Sequence, residues 1–349
     1  MKSLYIMGTP ASGKTALALG LAQKLRQEGF KVAYFKPLGN PSPGGGPSDD
    51  DALLMREILG MEAPLEVIVP CMIGPSYLSG ERCPEALTRI RRAYQELAQN
   101  ADILLIGGAC YPYAYTSCGL DDIALAKEWN SQVILVSKIK SDFSIDRALF
   151  FNRSLNSAGI NLLGNIFNDI PRALIAKAEG IYKPILEENG YRVLGLIPRR
   201  PEIASPTVKE YYEALGGEIL AGKDNLGRLV EEVMIGAMTV ESALTYFRRS
   251  ADKAVILGGD RADVALAALE TSTSVLILTG GLYPDVRLIS RAQEKGVPLL
   301  LVPYDTYTTV EKVSHLTRRL RADDPTGIRI ALENVEKYCQ WEAIVEALR

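Results

Sequence analysis

Gly8-Thr9-Pro10-Ala11-Ser12-Gly13-Lys14-Thr15 follows the apolar run Leu4-Tyr5-Ile6-Met7 and precedes a helical pattern from Ala16 to Arg26. The spacing is G-x-x-x-x-G-K-T, that of a P-loop, and its context is the one the chemistry needs. A strand delivers the chain to a glycine-relaxed turn, and the turn points backbone N–H groups inward. The N-terminus of the next helix then adds a dipole that favours phosphate. From this position the Lys14 amine reaches the β- and γ-phosphates of a nucleotide, and the Thr15 hydroxyl can ligate Mg²⁺. Gly8, Thr9, Ala11, Ser12, Gly13, Lys14 and Thr15 are therefore the expected nucleotide cradle.

Outward from the P-loop, short apolar strands alternate with helical patterns. Strands are expected at Lys31–Phe35, Ile103–Ile106, Val133–Val136, Leu162–Phe167 and Val193–Ile197. Helices are expected at Ala52–Leu59, Pro84–Asn100, Ile123–Glu128, Ser144–Ser157 and Leu174–Glu188. Such alternation argues an α/β fold with a doubly wound parallel sheet. Asn40 to Pro47, rich in proline and glycine, reads as a mobile loop, and Asp49-Asp50-Asp51 follows it at a helix start. Beyond Pro198-Arg199-Arg200-Pro201 comes a helix ending at Gly216-Gly217, the strand Glu218–Leu220, and a second α/β set. Its strands, Ala254–Leu257, Val275–Leu278 and Leu299–Val302, each end in a loop of small or polar residues. Those loops either form a second site at the carboxyl edge or only turn strand into helix. The last thirty residues read as two short amphipathic helices anchored by Trp341 and Leu348.

Composition bounds the function. The 349 residues carry a net charge of -3, with 47% hydrophobic and 23% charged residues, and suit two domains. The arginine clusters 89, 91, 92 and 318, 319, 321 fall in helical patterns and read as solvated faces, so no nucleic-acid footprint is present. No stretch approaches the ~20 apolar residues of a membrane span. The five cysteines form no C-x-x-C pair and suit reduced thiols. With no signal segment, they point to a cytoplasmic location. His315 is the only histidine, in the expected helix Thr309–Arg321, which excludes a multi-histidine metal site.

Further motifs extend this reading: Phe35-Lys36-Pro37-Leu38-Gly39, Asp49-Asp50-Asp51, Gly195-Leu196-Ile197-Pro198 and Ala204-Ser205-Pro206-Thr207-Val208. With the P-loop, they make residues 1–220 resemble the dethiobiotin-synthetase-like domain at the N-terminus of long-form phosphate acetyltransferases. Gly259-Asp260-Arg261, Leu278-Thr279-Gly280-Gly281 and Asp305-Thr306-Tyr307-Thr308-Thr309 make residues 221–349 resemble the DRTGG domain that follows it there. The expected architecture is thus a P-loop NTPase-type sheet followed by a smaller DRTGG-like α/β domain with C-terminal helices. The acetyltransferase domain of those long enzymes is not in the sequence, which looks like their regulatory front end standing alone.

The resemblance carries roles residue by residue. Lys36 matches the synthetases' lysine beside the reacting phosphate, so Lys14 and Lys36 are the catalytic candidates. One of Asp49, Asp50 and Asp51 matches the aspartate that joins Thr15 at Mg²⁺, although the run also suits a helix N-cap. Asn168 matches the adenine-reading asparagine, and Pro198 is placed at the nucleotide by the same correspondence. One departure stands out. The synthetases carry a Mg²⁺-binding glutamate after the strand that matches Ile103–Ile106, and here Gly107 stands in its place.

The implied ligands are ATP and Mg²⁺. The favoured function is an ATP-binding regulatory protein, a homo-oligomer with slow ATP hydrolysis, whose DRTGG-like domain senses a metabolite or contacts a partner protein. The alternative is an ATP-dependent synthetase that activates a carboxylate or carbamate. The aromatic loop Tyr111–Tyr115 is either a ligand contact or a lid packed on its own domain.

Overall fold

The computed structural model describes residues 1–41, 49–74, 83–314, 316 and 318–349. Residues 42–48 of the proline- and glycine-rich loop, and His315, lie outside them. The chain forms two compact units, residues 1–200 with 320–349, and residues 201–319.

The first unit is built on strands β1 (Lys2–Gly8), β2 (Val32–Phe35), β5 (Ile103–Gly107), β6 (Gln132–Lys138), β7 (Leu162–Ile170) and β8 (Val193–Pro198). They form one sheet in the order β2-β5-β1-β6-β7-β8, parallel throughout. Leu4, Tyr5, Ile6 and Met7 of β1 are all essentially inaccessible, as a central strand covered on both faces requires. The short pair β3 (Leu38–Gly39) and β4 (Cys71–Met72) stands apart from this sheet. The helices that matter to the site are α1 (Lys14–Gln27), α2 (Asp50–Leu59), α3 (Leu65–Ile68), α4 (Cys83–Ala98), α5 (Asp122–Glu128) and α6 (Phe143–Ser157). After β1 the chain builds one side of the sheet, and from β6 onward it builds the other. The reversal falls at β1, so the P-loop springs from the point where open α/β sheets bind ligands.

The division of the chain differs from the expected break at residue 220. The helices Pro325–Tyr338 and Trp341–Ala347 belong with the P-loop unit. Gly20 of α1 explains the packing: a Cβ there would stand 2.5 Å from the Ala331 carbonyl oxygen and from Val335 Cγ2. Gly195 of β8 likewise lets Cys339 pair with it as an antiparallel bridge, and the Gln340 N–H donates to the Leu194 carbonyl at 2.7 Å. Lys24 of α1 lies over the Trp341 ring at 4.5 Å. Two other expectations change. The single helix expected over Leu174–Glu188 is interrupted by a wide turn at Ala178–Tyr182. Cys83 and Cys118, expected as free thiols, are bonded as a disulfide, because the loop after β5 returns to the start of α4 and brings their Cα atoms to 5.2 Å.

The second unit carries a five-stranded sheet in the order β10-β11-β12-β13-β9. Its strands are β9 (Glu218–Ala221), β10 (Glu232–Ile235), β11 (Lys253–Gly258), β12 (Thr273–Thr279) and β13 (Leu299–Leu301). All neighbours are parallel except β9, which runs antiparallel to β13 at one edge. Strand β10 is a short edge strand whose apolar run is only Val233-Met234-Ile235, with Glu232 and Ile235 exposed, and it lies outside the strands expected from the sequence. The helix expected from Thr309 to Arg321 spans Thr306–Val313, with Asp305 capping it by accepting from the Thr308 N–H.

Candidate functional site: the P-loop and its surrounding acids

The loop between β1 and α1 has the geometry of an anion cradle. Ala11 and Gly13 take φ of 55° and 88°, left-handed values that turn successive N–H groups to one side. A Cβ on Gly8 would lie 2.5 Å from the Val136 carbonyl oxygen, and one on Gly13 would lie 2.0 Å from Asn168 Nδ2, so both positions demand glycine. Gly13 stands at the N-cap of α1 and offers no capping side chain, and the first turn holds no acid. The orphan N–H groups of that turn therefore keep their capacity for an anion. Ser12 Oγ is buried with no hydrogen-bond partner among the described residues. Glycines that a Cβ would obstruct and an orphaned hydroxyl fit a bound phosphate chain. Lys14 folds back on its own loop and donates to the carbonyls of Gly8 and Thr9 at 3.0 and 3.1 Å. Burial and the neighbouring Lys36 depress its pKa, against the pull of Asp122 and Asp51.

Around the cradle the structure separates the three expected aspartates. Asp49 is the N-cap of α2, with Oδ1 accepting from the Ala52 N–H and Oδ2 from the Asn40 N–H. Lys36 Nζ reaches both of its oxygens, at 3.0 and 2.8 Å. Asp49 is fully enclosed and its acceptors are in use; burial pushes its carboxyl pKa up. Asp50 opens α2. Asp51 is different. Its side chain is 41% exposed, Lys36 Nζ lies 2.5 Å from Oδ2, and the Thr15 hydroxyl is a hydrogen-bond partner. Burial works against its charge, but Lys36 and Thr15 outweigh that and hold the carboxyl below its usual range. The cluster thus brings Thr15, Lys36 and Asp51 together. Among the described residues no group of three His, Cys, Asp or Glu side chains could hold a metal by itself.

Asn168 reaches the loop through a distortion. The register of β7 against β8 shifts between Phe167 and Ile170, and Asp169 takes φ of 53°. This irregularity re-aims the strand end, and Asn168 Nδ2 donates to the Ser12 carbonyl at 2.8 Å. Asn165, an unusual residue for a buried strand, exchanges two amide hydrogen bonds with Asn152 of α6 at 2.8 and 2.9 Å. It is a structural residue. Pro198 closes β8 opposite Ile170.

Two further residues at the site escape sequence reasoning. Tyr34 of β2 points its hydroxyl at Gly107; a Cβ on Gly107 would be 2.1 Å from that oxygen. Asp122, at the start of α5, is completely buried, and its Oδ1 accepts from the Tyr5 hydroxyl at 2.9 Å and the Ala109 N–H at 3.0 Å. A signal for it existed. Asp121-Asp122 opens a helix, one acid suffices as N-cap, and Asp121 is that cap, accepting from the Ile123 and Ala124 N–H groups. The second acid is not needed as a cap. In the aromatic loop, Tyr115 is buried while Tyr111 and Tyr113 are exposed, their ring centroids 5.3 Å apart. The loop is therefore part core and part surface.

In the second unit the motif residues bond chiefly to one another. The Gly280 and Gly281 N–H groups donate to the carbonyls of Tyr304 and Val302, and Thr279 Oγ1 pairs with Thr306 Oγ1 at 2.9 Å. Arg261 donates to the Met238 carbonyl at 2.9 Å, and Gly259 packs under the Leu282 carbonyl, where a Cβ would be 2.1 Å away. These contacts tie the carboxyl-edge loops together.

Fold and loop together define a P-loop domain joined to a second, smaller α/β domain. Residues 2–207 match the AAA domain family, well over half the sequence, and the chain belongs to that family. Residues 210–316 match the DRTGG domain. Among curated proteins, a phosphate acetyltransferase of Pseudomonas putida is 29% identical over 345 residues, covering 93% of this chain and 48% of that protein. A phosphate acetyltransferase of Escherichia coli is 22% identical over 359 residues, covering 93% and 50%. The chain spans about half the length of these relatives. Of solved structures, the septum site-determining protein MinD complexed with Mg-ADP from Pyrococcus horikoshii is 17% identical, with a TM-score of 0.36 over 58% of this chain and 83% of that one. No helix among the described residues is long and apolar enough to cross a membrane.

Proposed function

We propose that this chain is an ATP-binding regulatory protein, with the P-loop unit taking ATP and Mg²⁺ and the DRTGG-like unit sensing a metabolite or contacting a partner. Gly8, Thr9, Ala11, Ser12, Gly13 and Lys14 would hold the phosphates, with Asn168 and Pro198 on the adenosine side. Thr15 and Asp51 would hold Mg²⁺, and Asp49 is the structural anchor that fixes Lys36 beside Asp51. Bound Mg²⁺ supplies charge neutralisation of the β- and γ-phosphates. Lys14 must leave the carbonyls of Gly8 and Thr9 to meet the phosphates, and Lys36 stays ionised to face them. Burial disfavours the Lys36 charge, but Asp51, Tyr34 and Asp49 hold its ammonium well above the ordinary lysine range.

The observation that carries the regulatory reading is Gly107 with Tyr34 beside it. The acid that completes the metal site in the synthetases is replaced by a glycine, and an aromatic hydroxyl occupies the room a side chain would need. Phosphoryl transfer is catalysed by positioning and charge neutralisation, so a missing metal-side acid slows turnover more than binding. The curated relatives, named phosphate acetyltransferases, match this chain over about half their length, and the chain resembles their N-terminal region. The second reading, a synthetase for a carboxylate or carbamate, draws on the gathering of Lys36, Asp51 and Thr15 at the loop. Calorimetric titration with ATP and ADP, with Mg²⁺ or EDTA, followed by assay of released phosphate, separates the two. Binding that leaves ATP intact supports regulation. Rapid ADP formation, accelerated by a carboxylate, overturns it.

A further inference from the structure

Asp122 is a fully buried acid that the nucleotide-binding reading does not use. Its Oδ1 has two donors, Tyr5 Oη and the Ala109 N–H, whereas no donor among the described residues reaches Oδ2. That free oxygen lies against Gly108, where a Cβ would come within 2.7 Å of it and 2.8 Å of the Ile6 carbonyl oxygen. Gly108 is thus a glycine so that the carboxyl can approach the ends of β1 and β5, where the P-loop begins. The groups that act on Asp122 are few: Tyr5 from β1, the Ala109 N–H from the loop after β5, Lys14 from α1, and Asp121 on its own helix. Of the surrounding charges, Asp122 acts most strongly on Lys14.

Resting on the reading that the P-loop holds a polyphosphate, we infer that Asp122 is a positioning residue that balances Lys14 in the free protein and takes up a proton on Oδ2 when ATP draws that lysine away. The chemistry is a single balanced step. Hydronium gives its proton to Oδ2, forming an O–H bond and leaving water, as the Lys14 ammonium moves away intact to pair with the phosphates. The buried carboxyl, left with phosphate charge nearby and without the Lys14 ammonium that acted on it, is more stable neutral. Burial already pushes its pKa up to about 6 in the free protein, so a modest further rise makes it titrate across neutrality. ATP binding is then tighter at low pH and weakens as pH rises above about 6. Each unit by which binding lifts the carboxyl weakens ATP about tenfold between pH 5.5 and pH 8.

The test is the affinity of the full chain for ATP with saturating Mg²⁺ from pH 5.5 to 8, in wild type and Asp122→Asn. Ionisation of ATP itself is common to both and cancels in the comparison. The wild type should lose affinity steeply across this range relative to the variant, and Asp122→Asn should bind about tenfold more tightly than wild type at pH 8. Equal pH dependence in two proteins that both bind ATP overturns the role of Asp122 and leaves the nucleotide reading intact. Failure of both to bind ATP at any pH overturns the nucleotide reading, and this inference with it. Should Asp122→Asn not fold, infrared difference spectra of wild type labelled with ¹³C-aspartate decide the matter. A protonated aspartyl carbonyl band must appear on ATP addition at pH 7, and its absence overturns the inference.

Discussion

The Tyr34 hydroxyl occupies the space that any side chain at Gly107 would need, 2.1 Å from a Cβ placed there. The two residues sit on neighbouring strands, β2 and β5, whose register pairs Tyr34 with Leu105 and Phe35 with Ile106. Tyr34 is buried, and burial raises its pKa far enough to keep the phenol neutral. Gly107 and Tyr34 are thus one feature: a glycine at the end of β5 with a neutral hydroxyl filling the room of its side chain.

Restoring the acid alone should therefore fail. Gly107→Glu overfills this pocket and costs about 1–3 kcal/mol of stability, with no gain in ATP hydrolysis. Gly107→Glu combined with Tyr34→Ala should recover the loss, because the removed ring provides the volume. Urea denaturation of the three variants measures the stability, and phosphate release measures the turnover. If Gly107→Glu alone is as stable as wild type, the steric account is wrong.

Asp122 makes a prediction about stability that is separate from its behaviour toward ATP. Its folded pKa of about 6 lies above the ordinary 3.8, so the folded state prefers the neutral carboxyl. The sign follows from linkage. The native state is favoured most below about pH 4, loses that advantage as pH rises to about 6, and carries the full cost above it. About two pKa units at ~1.4 kcal/mol each give about 3 kcal/mol. Asp122→Asn, which keeps an acceptor for Tyr5 and Ala109, should match wild type near pH 4 and exceed it by up to about 3 kcal/mol at pH 7. Unfolding midpoints across that range decide it; a variant less stable at pH 7 contradicts the assignment of a costly buried charge.

The three adjacent aspartates should divide by role. Asp51→Asn is expected to weaken the Mg²⁺ dependence of ATP binding about tenfold or more while changing stability by under about 1 kcal/mol, since the side chain is partly exposed. Asp49→Ala should cost about 3–5 kcal/mol, because it leaves Lys36 buried without its enclosed partner and removes the cap of α2. Calorimetry with and without Mg²⁺, beside thermal unfolding, reads both. Reversed outcomes would exchange the two assignments.

How much of this was legible in the sequence depends on what kind of contact carries the information. The P-loop was legible because strand, glycine turn and helix are contiguous and each step has a local cause. The alternating strands were legible because central parallel strands are apolar on both faces, as Leu4 to Met7 are. Strand β10 was not, since its apolar run is only Val233-Met234-Ile235 and, as an edge strand, it is not buried on both faces. The return of residues 320–349 to the first unit was hidden because it depends on Gly20 and Gly195, two glycines that admit backbone from 140 or more positions away. At the site, the three aspartates could not be ranked from their run. Only the geometry shows that Asp49 is enclosed and Asp51 faces Thr15.

Asn165 and Asn168 form a matched pair of tests, three residues apart on β7. Asn165→Ala leaves the buried Asn152 Oδ1 without its donor, although Asn152 Nδ2 keeps the Ala148 carbonyl, at a cost of about 1–3 kcal/mol. It should leave ATP affinity unchanged. Asn168→Ala removes the bond to the Ser12 carbonyl and should lower ATP affinity about tenfold with little loss of stability. A double-mutant cycle of Asn152 and Asn165 should show coupling of more than 1 kcal/mol. If Asn165→Ala weakens ATP as much as Asn168→Ala does, the two residues do not have separate functions.

The disulfide between Cys83 and Cys118 spans 35 residues and joins the start of α4 to the loop after β5. A cross-link over a segment of that length restricts the unfolded chain by about 3–4 kcal/mol. The loop it fastens leads from Gly107 through Cys110 to Asp122, so its order is tied to the order of the buried acid. Oxidised protein should therefore resist urea more than protein treated with a dithiol, and Cys83→Ser should abolish the difference. Alkylation of the native, untreated protein should modify no more than the three cysteines outside the bridge, Cys71, Cys110 and Cys339, with Cys110 fastest because it is the least buried of them. Labelling of all five cysteines in untreated protein would show that the bridge does not form in solution, and the stability difference on reduction should then vanish as well.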